Sequence, residues 1–349
     1  MLFLTTDNFI ITEKIYESKN SIIYKGKRKS NNENVIGKTL SGEYPSPDFL
    51  LRFKSEYELL TRINISGVIK VFEMEKLNDR PIFFMEDFVG LSLKDYIKNE
   101  KVYLEEFIDI TIKVIKILKQ IHEKNIIHKD INPANILFNP ETRQIKIIDF
   151  GIATELLKEN PSTISSDLLE GTVYYISPEQ SGRMNRTIDY RSDFYSLGVS
   201  LYQILTNVLP FNSHDTLEII HSHIAKKPEL PHEIDNRIPE VISFIILKLM
   251  AKDAEDRYQT CDGILYDLEE CWKRLKNSGE IKQFPIAQKD FSNKLQIPEK
   301  LYGRAKEVTQ IMKTFHSATK GNAKVLLVSG RSGIGKSALV GEIHKPILE

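Results

Sequence analysis

The chain has 349 residues, 41% apolar and 28% charged, with only 17 glycines and 14 prolines. Those proportions exclude a collagenous, low-complexity or wholly disordered chain, and the length suits one large domain plus part of a second. Lys and Arg total 48 against 48 Asp and Glu, so no overall basic field draws the chain to nucleic acid or anionic lipid, and any phosphate it binds must be held locally. Cys261 and Cys271 fall on one helical pattern, about 15 Å apart, and cannot make a disulfide framework. The start carries no basic, apolar leader, and nowhere do eighteen apolar residues run together. Neither export nor a membrane span is expected, and a reducing cytoplasm fits.

From Phe9 to about Met85 the pattern is short strands: Ile10-Ile11, Ser21–Lys25, Val35–Leu40, Val68–Met74 and Ile82–Met85, separated by polar turns. One helix interrupts them. Ser46 supplies an N-cap, Pro47 suits the first helical position, and Phe49, Phe53, Leu59 and Leu60 mark an apolar face through about Arg62. After Gly90 the period becomes 3.6, with Phe107, Ile110, Val114, Ile117 and Ile121 as a buried helical stripe. Short apolar runs follow at Asn125–Ile127 and Ile145–Ile148, then a loop over Lys158–Gly171. Helical patterns resume at Asp193–Thr206, Asp215–Lys226, Pro239–Ala251 and Cys261–Lys276. The expectation is a small β-rich lobe and a large helical lobe.

Residues 277–300 lack periodicity and read as a linker. From Gly303 a helix leads to an expected strand at Lys324–Val328 and then to Gly330-Arg-Ser-Gly-Ile-Gly335-Lys336-Ser337, a complete phosphate-binding loop pattern. Backbone amides of such a loop cradle phosphates, Lys336 reaches the β and γ oxygens, and Ser337 binds Mg²⁺. No acidic strand follows it in the sequence, so this half-domain is expected to be inert alone.

The most informative segment is His128-Lys-Asp130-Ile-Asn-Pro-Ala-Asn135, with Asp149-Phe150-Gly151 beginning nineteen positions after Asp130. Asp130 and Asn135 share one irregular loop and Asp149 ends the next apolar run, so three oxygen-bearing side chains can converge. Carboxylate and amide oxygens are what Mg²⁺ prefers when it also keeps water and substrate phosphate.

From Phe9 to Lys276 the sequence resembles a serine/threonine protein kinase, an α+β bilobal fold, with the catalytic signature at His128, Asp130 and Asn135 and the metal triplet at Asp149–Gly151. The resemblance implies that Asp130 orients the acceptor hydroxyl and takes its proton, while Asn135 and Asp149 hold Mg²⁺ against the phosphates of ATP. It makes Lys38 the nucleotide lysine and Glu56 its helix partner. Glu58, the rival, points to another face of the helix. Backbone groups of Glu86 and Phe88 would read adenine beside Met85. Gly171–Glu179 resembles the end of an activation segment, with Thr172 favouring Ser/Thr hydroxyls as acceptors. Asp193 is the family's helix-starting aspartate, and Arg257 is placed to pair with Glu179.

Five positions depart from that pattern. Tyr16, Ser18 and Ser21 occupy the glycine positions of the phosphate cover, and Tyr and Ser restrict backbone approach. Asn132 stands where Ser/Thr kinases usually carry a lysine, and Lys129 replaces an arginine. The alternative to an active kinase is therefore a pseudokinase or nucleotide-binding scaffold. With the phosphate loop and Leu301–Glu307, the order of motifs resembles large bacterial hybrids in which a kinase domain precedes an AAA/STAND-type ATPase, a GAF sensor and a histidine kinase. By that resemblance residues 1–276 form the kinase domain (N-lobe 1–88, C-lobe 89–276) and 301–349 the first part of an ATPase domain. Downstream ATPase, sensor and histidine-kinase modules become partners alongside a protein with a Ser/Thr acceptor. His214, His221 and His223 are read as ordinary helix residues rather than metal ligands, and the two cysteines as small buried hydrophobes.

Overall fold

The computed structural model describes residues 4–42, 45–155, 173–183, 186–291, 303–321, 323–331 and 333–341. The expected loop over Lys158–Gly171, with Thr172, lies outside the described residues. The chain divides into two compact units. One takes residues up to Lys101 together with Lys116–Glu155, and the other Val102–Ile115 with the described residues beyond Glu155.

The first unit opens with β1 (Leu4–Thr5), β2 (Phe9–Glu17), β3 (Ser21–Arg28) and β4 (Asn34–Leu40), then α1 (Pro47–Arg62), β5 (Val71–Leu77) and β6 (Arg80–Glu86). These strands make one sheet in the order β1-β2-β3-β4-β6-β5, its paired strands running antiparallel. The expected strand from Val68 begins later, at Val71; Val68 instead makes an isolated parallel bridge to Ile147. Period-2 alternation along β4 sends Val35, Gly37 and Thr39 to one face and Ile36, Lys38 and Leu40 to the other. The first face closes a core of Phe9, Ile11, Val35, Leu77, Ile82 and Phe84, with Phe9 and Phe84 stacked at 3.8 Å. At Gly37 a Cβ would come within 3.0 Å of the Ile82 and Phe84 side chains, so any larger residue would require those two core side chains to shift.

Helix α1 covers the other face. The Ser46 hydroxyl oxygen accepts from the Phe49 N–H and Pro47 starts the helix, as its sequence predicts. Phe53, Glu56, Leu59 and Leu60 are buried, and the Phe53 ring meets Phe83 at 4.9 Å. Each buried apolar side chain here contributes about 2 kcal/mol by leaving water. Glu56 lies on the same stripe, one turn after Phe53, and so arrives on the sheet as the one charged member of an apolar face.

The unit continues through β7 (Leu91–Ser92), α2 (Leu93–Asn99), the later turns of α3 (Leu104–Glu123), β8 (Ile126–Ile127), β9 (Ile136–Phe138), β10 (Ile145–Ile147) and β11 (Thr154–Glu155). Strands β10, β9 and β7 form a small sheet, and β11 pairs with β8. Gly67 packs where a Cβ would strike Ile117 of α3 at 2.2 Å. The Ile69 N–H donates to Ile147 O and the Ile147 N–H to Gly67 O, which fixes the end of β10, and hence Asp149, beside the large sheet.

The second unit holds the start of α3 and then α4 (Arg191–Thr206), α5 (Thr216–Ala225), α6 (Pro231–Ile234), α7 (Glu240–Leu249) and α8 (Cys261–Ser278). A buried bidentate pair spans it: Arg257 Nη1 and Nη2 donate to Glu179 Oε1 at 2.7 Å and Oε2 at 2.8 Å. The Ser192 hydroxyl adds a third bond to Glu179. Val173 and Ile176 pack with Ile219, Ile220 and Ile224 of α5. His223 is buried against the Tyr195 hydroxyl, and no group of three or more His, Cys, Asp or Glu suited to a metal occurs among the described residues. Cys261 and Cys271 are buried and are not joined in a disulfide.

Beyond α8 the irregular segment runs back onto that helix. The Asp290 carboxylate accepts from the Gln259 N–H, the Thr260 N–H and the Thr260 hydroxyl, and the Ala287 N–H donates to Asp267. Further on come α9 (Ala305–Thr319) and α10 (Lys336–Gly341). The strand expected at Lys324–Val328 does not form: residues 323–330 carry no regular structure, and Val325 and Leu327 are 97% and 88% exposed. An extended run becomes a strand only when a neighbour satisfies its backbone, and no strand is paired with it among the described residues. No helix among the described residues is long and apolar enough to cross a membrane.

Candidate active site

All the catalytic and metal residues expected in the kinase-like region fall within the first unit. Lys38 projects from β4 on the α1 side of the sheet. Its Nζ donates to Glu56 Oε1 at 2.7 Å, to Glu56 Oε2 at 3.0 Å and to Asp149 Oδ1 at 3.1 Å. Glu58 is exposed and takes no part. The Lys38 and Glu56 side chains are 12% and 4% exposed, whereas that of Asp149 is 45% exposed. The pair is thus covered and its third member opens to solvent. Burial alone would lower the Lys38 ammonium, but the Asp149 and Glu56 charges outweigh it and raise its proton affinity above the ordinary value. Asp149 is held below the usual carboxylate range, first by the Lys38 charge. Burial pushes the Glu56 carboxyl up, against the pull of Lys38.

Asp149 adopts a left-handed backbone, φ 64°, and Lys129 another, φ 67°. Non-glycine residues persist there only when their surroundings over-determine them. At Asp149 those surroundings are the Lys38 bond, the Gly151 N–H donating to Oδ1 and the Ile148 N–H bonded to Asn135 O. His128, fully buried, stacks edge-on to Phe150 at 4.5 Å. Its Nδ1 accepts from the Asp130 N–H at 3.3 Å, so its Nε2 carries the hydrogen facing Ile148 O at 3.2 Å. The histidine therefore ties the loop of Asp130 to the strand end that carries Asp149.

Within that loop Asn135 Nδ2 donates to Asp130 Oδ2 and to the Asp130 carbonyl, both at 2.9 Å. With its amide hydrogens turned to Asp130, Asn135 presents its Oδ1 as the acceptor end. Partial burial, and then the Asp149 charge, raise the Asp130 carboxyl above its ordinary value, against the opposing effects of His128, Asn132 and Asn135. Two neighbouring carboxylates are thereby pushed apart: Asp149 stays ionised and Asp130 has the greater proton affinity.

By residue type, Asn132 reads as a missing cation. The structure makes it a second amide on Asp130, with Nδ2 at 2.8 Å from Oδ1. The signal available beforehand was the spacing, since Asn side chains commonly bond backbone two residues on and fix tight loops.

At the end of β6 the Glu86 carboxylate is committed to the Lys70 N–H at 2.8 Å and Lys146 Nζ at 2.7 Å, and Phe88 follows in irregular, partly buried chain. At the β2–β3 turn Ser18 closes the hairpin on itself. Its N–H donates to Ser21 O at 2.8 Å, and its Oγ accepts from the Ser21 N–H at 3.0 Å and the Asn20 N–H at 3.3 Å.

In the second unit Gly333 and Gly335 take positive φ, 81° and 89°. Lys336 Nζ donates back to Gly330 O and Arg331 O at 2.9 and 2.8 Å. Ser337 lies in the first turn of α10.

The oxygen donors fit Mg²⁺ and a triphosphate. Asp149 contributes a solvent-facing carboxylate and Asn135 a neutral amide oxygen, a donor set suited to an ion that retains water and substrate ligands.

The protein kinase domain family matches residues 9–267, and the chain belongs to that family. Residues 300–349 match the AAA ATPase domain family. A probable serine/threonine-protein kinase of Clostridium perfringens is 34% identical over 270 residues, covering 76% of this chain and 38% of that protein. A second probable serine/threonine-protein kinase, from Clostridium acetobutylicum, is 30% identical over 278 residues, covering 79% and 41%. Hybrid signal transduction histidine kinase G of Dictyostelium discoideum is 30% identical over 346 residues, covering 73% of this chain and 10% of that protein. The chain thus spans well under half the length of these relatives.

Proposed function

We propose that the chain is an ATP-dependent serine/threonine protein kinase. The observation that carries the reading is the meeting of Lys38, Glu56 and Asp149 beside a loop on which Asp130 and Asn135 are already oriented. Lys38, held by Glu56, binds phosphate oxygens of the nucleotide. Backbone groups of Glu86 and Phe88 contact adenine, since the Glu86 side chain is already committed to Lys70 and Lys146. Asn135 Oδ1 and the Asp149 carboxylate would hold Mg²⁺, which neutralises phosphate charge and orients the γ-phosphoryl group. Asp130 orients the acceptor hydroxyl and takes its proton as the new O–P bond forms and the bond to the ADP oxygen breaks. Phosphoryl transfer passes through a loose transition state, so positioning and charge neutralisation are most of what these residues must supply.

The acceptor is a protein Ser or Thr, and the setting is cytoplasmic signalling. Residues 1–276 are the kinase domain, 277–300 the connection and 301–349 the start of an ATPase domain whose Gly330, Gly335, Lys336 and Ser337 take a second nucleotide. Downstream ATPase, sensor and histidine-kinase modules are the partners, supported by the AAA match and by the similarity to the hybrid signal transduction histidine kinase of Dictyostelium. Phospho-amino-acid analysis of a general acceptor after incubation with Mg·ATP tests the reaction: phosphoserine and phosphothreonine are expected, and phosphotyrosine alone would refute the acceptor class.

One observation favours a second reading, a nucleotide-binding scaffold without transfer. The Ser18-closed turn spends backbone N–H groups that a phosphate cover would offer. A rise in melting temperature with Mg·ATP but no transfer would mark that case.

A further inference from the structure

Asn132 uses both ends of its side chain. Its Oδ1 accepts from the Ala134 N–H at 2.9 Å and the Asn135 N–H at 3.3 Å, which anchors the amide plane to the following turn. The same plane then points Nδ2 at Asp130, 2.8 Å from Oδ1 and 3.2 Å from the carbonyl oxygen. Asn135 grips the other carboxylate oxygen at 2.9 Å, and its own N–H also bonds Asn132 O at 3.0 Å. The two oxygens of Asp130 are therefore each held by a different side-chain amide, and Asn132 and Asn135 are 7% and 8% exposed. A carboxylate held at one oxygen can swing about that bond. Held at both, it has one orientation, with its remaining lone pairs aimed in a fixed direction.

We propose that Asn132 is a positioning residue, fixing the plane of the Asp130 carboxylate so that it accepts the hydroxyl proton of the acceptor. The inference rests on the kinase reading above. The Asn132 side chain reaches Asp130 through Nδ2, whereas it meets Asn135, assigned to the metal, only at that residue's backbone N–H and through Oδ1. Loss of the Nδ2 donor alone must therefore act on the transfer step rather than on ATP binding. A neutral amide does this without a cation, because it restricts orientation instead of supplying charge. An asparagine in this position is then compatible with an active enzyme.

The test separates positioning from loop architecture with two variants of the full chain. Asn132→Asp keeps an oxygen for the Ala134 and Asn135 N–H groups but removes the donor to Asp130, whereas Asn132→Ala removes both. Steady-state phosphate transfer is measured against ATP concentration, with the Mg·ATP thermal shift measured in parallel. Both variants are expected to lower kcat by about 10- to 100-fold, the scale on which misplacement of a reacting group acts, while in Asn132→Asp, which keeps the oxygen facing Asn135, KM for ATP stays within about twofold and the thermal shift is retained. Wild-type kcat in Asn132→Asp, or a KM for ATP in that variant that rises as kcat falls, would overturn the positioning role and leave the kinase reading standing. Absence of transfer by the wild-type chain would remove both.

Discussion

Lys38 Nζ lies 3.1 Å from Asp149 Oδ1 although 111 positions separate the two residues along the chain. A strand at the middle of one sheet and the turn after β10 have thus been brought to a shared point, and Glu56 fixes the lysine there from a helix. Because the Lys38–Glu56 pair is almost wholly covered while Asp149 opens to solvent, the ammonium is aimed rather than merely neutralised.

Glu56→Gln tests the aiming. The amide keeps the size of the side chain but not its charge, so Lys38 is drawn toward Asp149 and leaves its phosphate-binding position. Transfer efficiency, kcat/KM for ATP, is expected to fall about 10²-fold, as for displacement of a positioned group. Glu58→Gln, at an exposed position, should change it less than twofold.

Ser18→Gly should have the opposite sign. Removing the hydroxyl releases the Asn20 and Ser21 N–H groups from Ser18 Oγ, and glycine permits close approach of backbone to phosphate. We expect KM for ATP to fall severalfold and the Mg·ATP thermal shift to grow. An unchanged or higher KM would mean that the closed turn does not limit nucleotide affinity.

The fold could be read from the sequence where local chemistry and burial agree. Ser46, Pro47 and the Phe53–Leu60 stripe announced α1, and its boundaries match Pro47–Arg62. Glu56 was distinguishable from Glu58 because helix geometry sends them to different faces. Asn132 was not legible in the same way, since its importance is a hydrogen bond rather than a charge, and residue type alone suggested only a lost cation. The segment around Ala287–Asp290 gave no periodic signal, yet side-chain-to-backbone bonds attach it to α8. Irregular chain tied down by such bonds looks like any loop in a sequence. At Lys324–Val328 the apolar run suggested a strand, but strand formation requires a partner that the run itself cannot specify.

The buried pair of Glu179 and Arg257 carries a prediction about stability. Glu179→Gln leaves the guanidinium in the interior without its counter-charge and should cost about 3–5 kcal/mol in chemical denaturation. Asp235→Asn, which breaks a pair with a largely exposed arginine, should leave the denaturation midpoint close to that of the wild type.

That pair also sets an acid limit. Burial alone would raise the Glu179 carboxyl, but Arg257 and Ser192 outweigh it and hold it at about 2, below the ordinary 4.5. A depressed folded-state value means that the stabilisation is fully present above about pH 4.5 and is lost as pH falls toward 2, on the order of 3 kcal/mol in all. Denaturation midpoints measured across this range should fall in the wild type and change less in Glu179→Gln. Parallel curves for the two proteins would show that another group controls the acid response.

The most direct measurement is phosphate transfer from Mg·ATP to a general Ser/Thr protein acceptor by the wild-type chain and by Asp130→Asn, with the Mg·ATP thermal shift followed in both. The substitution is expected to abolish transfer while retaining the shift, because Asp130 serves the acceptor hydroxyl and Lys38, Asn135 and Asp149 serve the nucleotide. Equal transfer by both proteins would contradict that assignment.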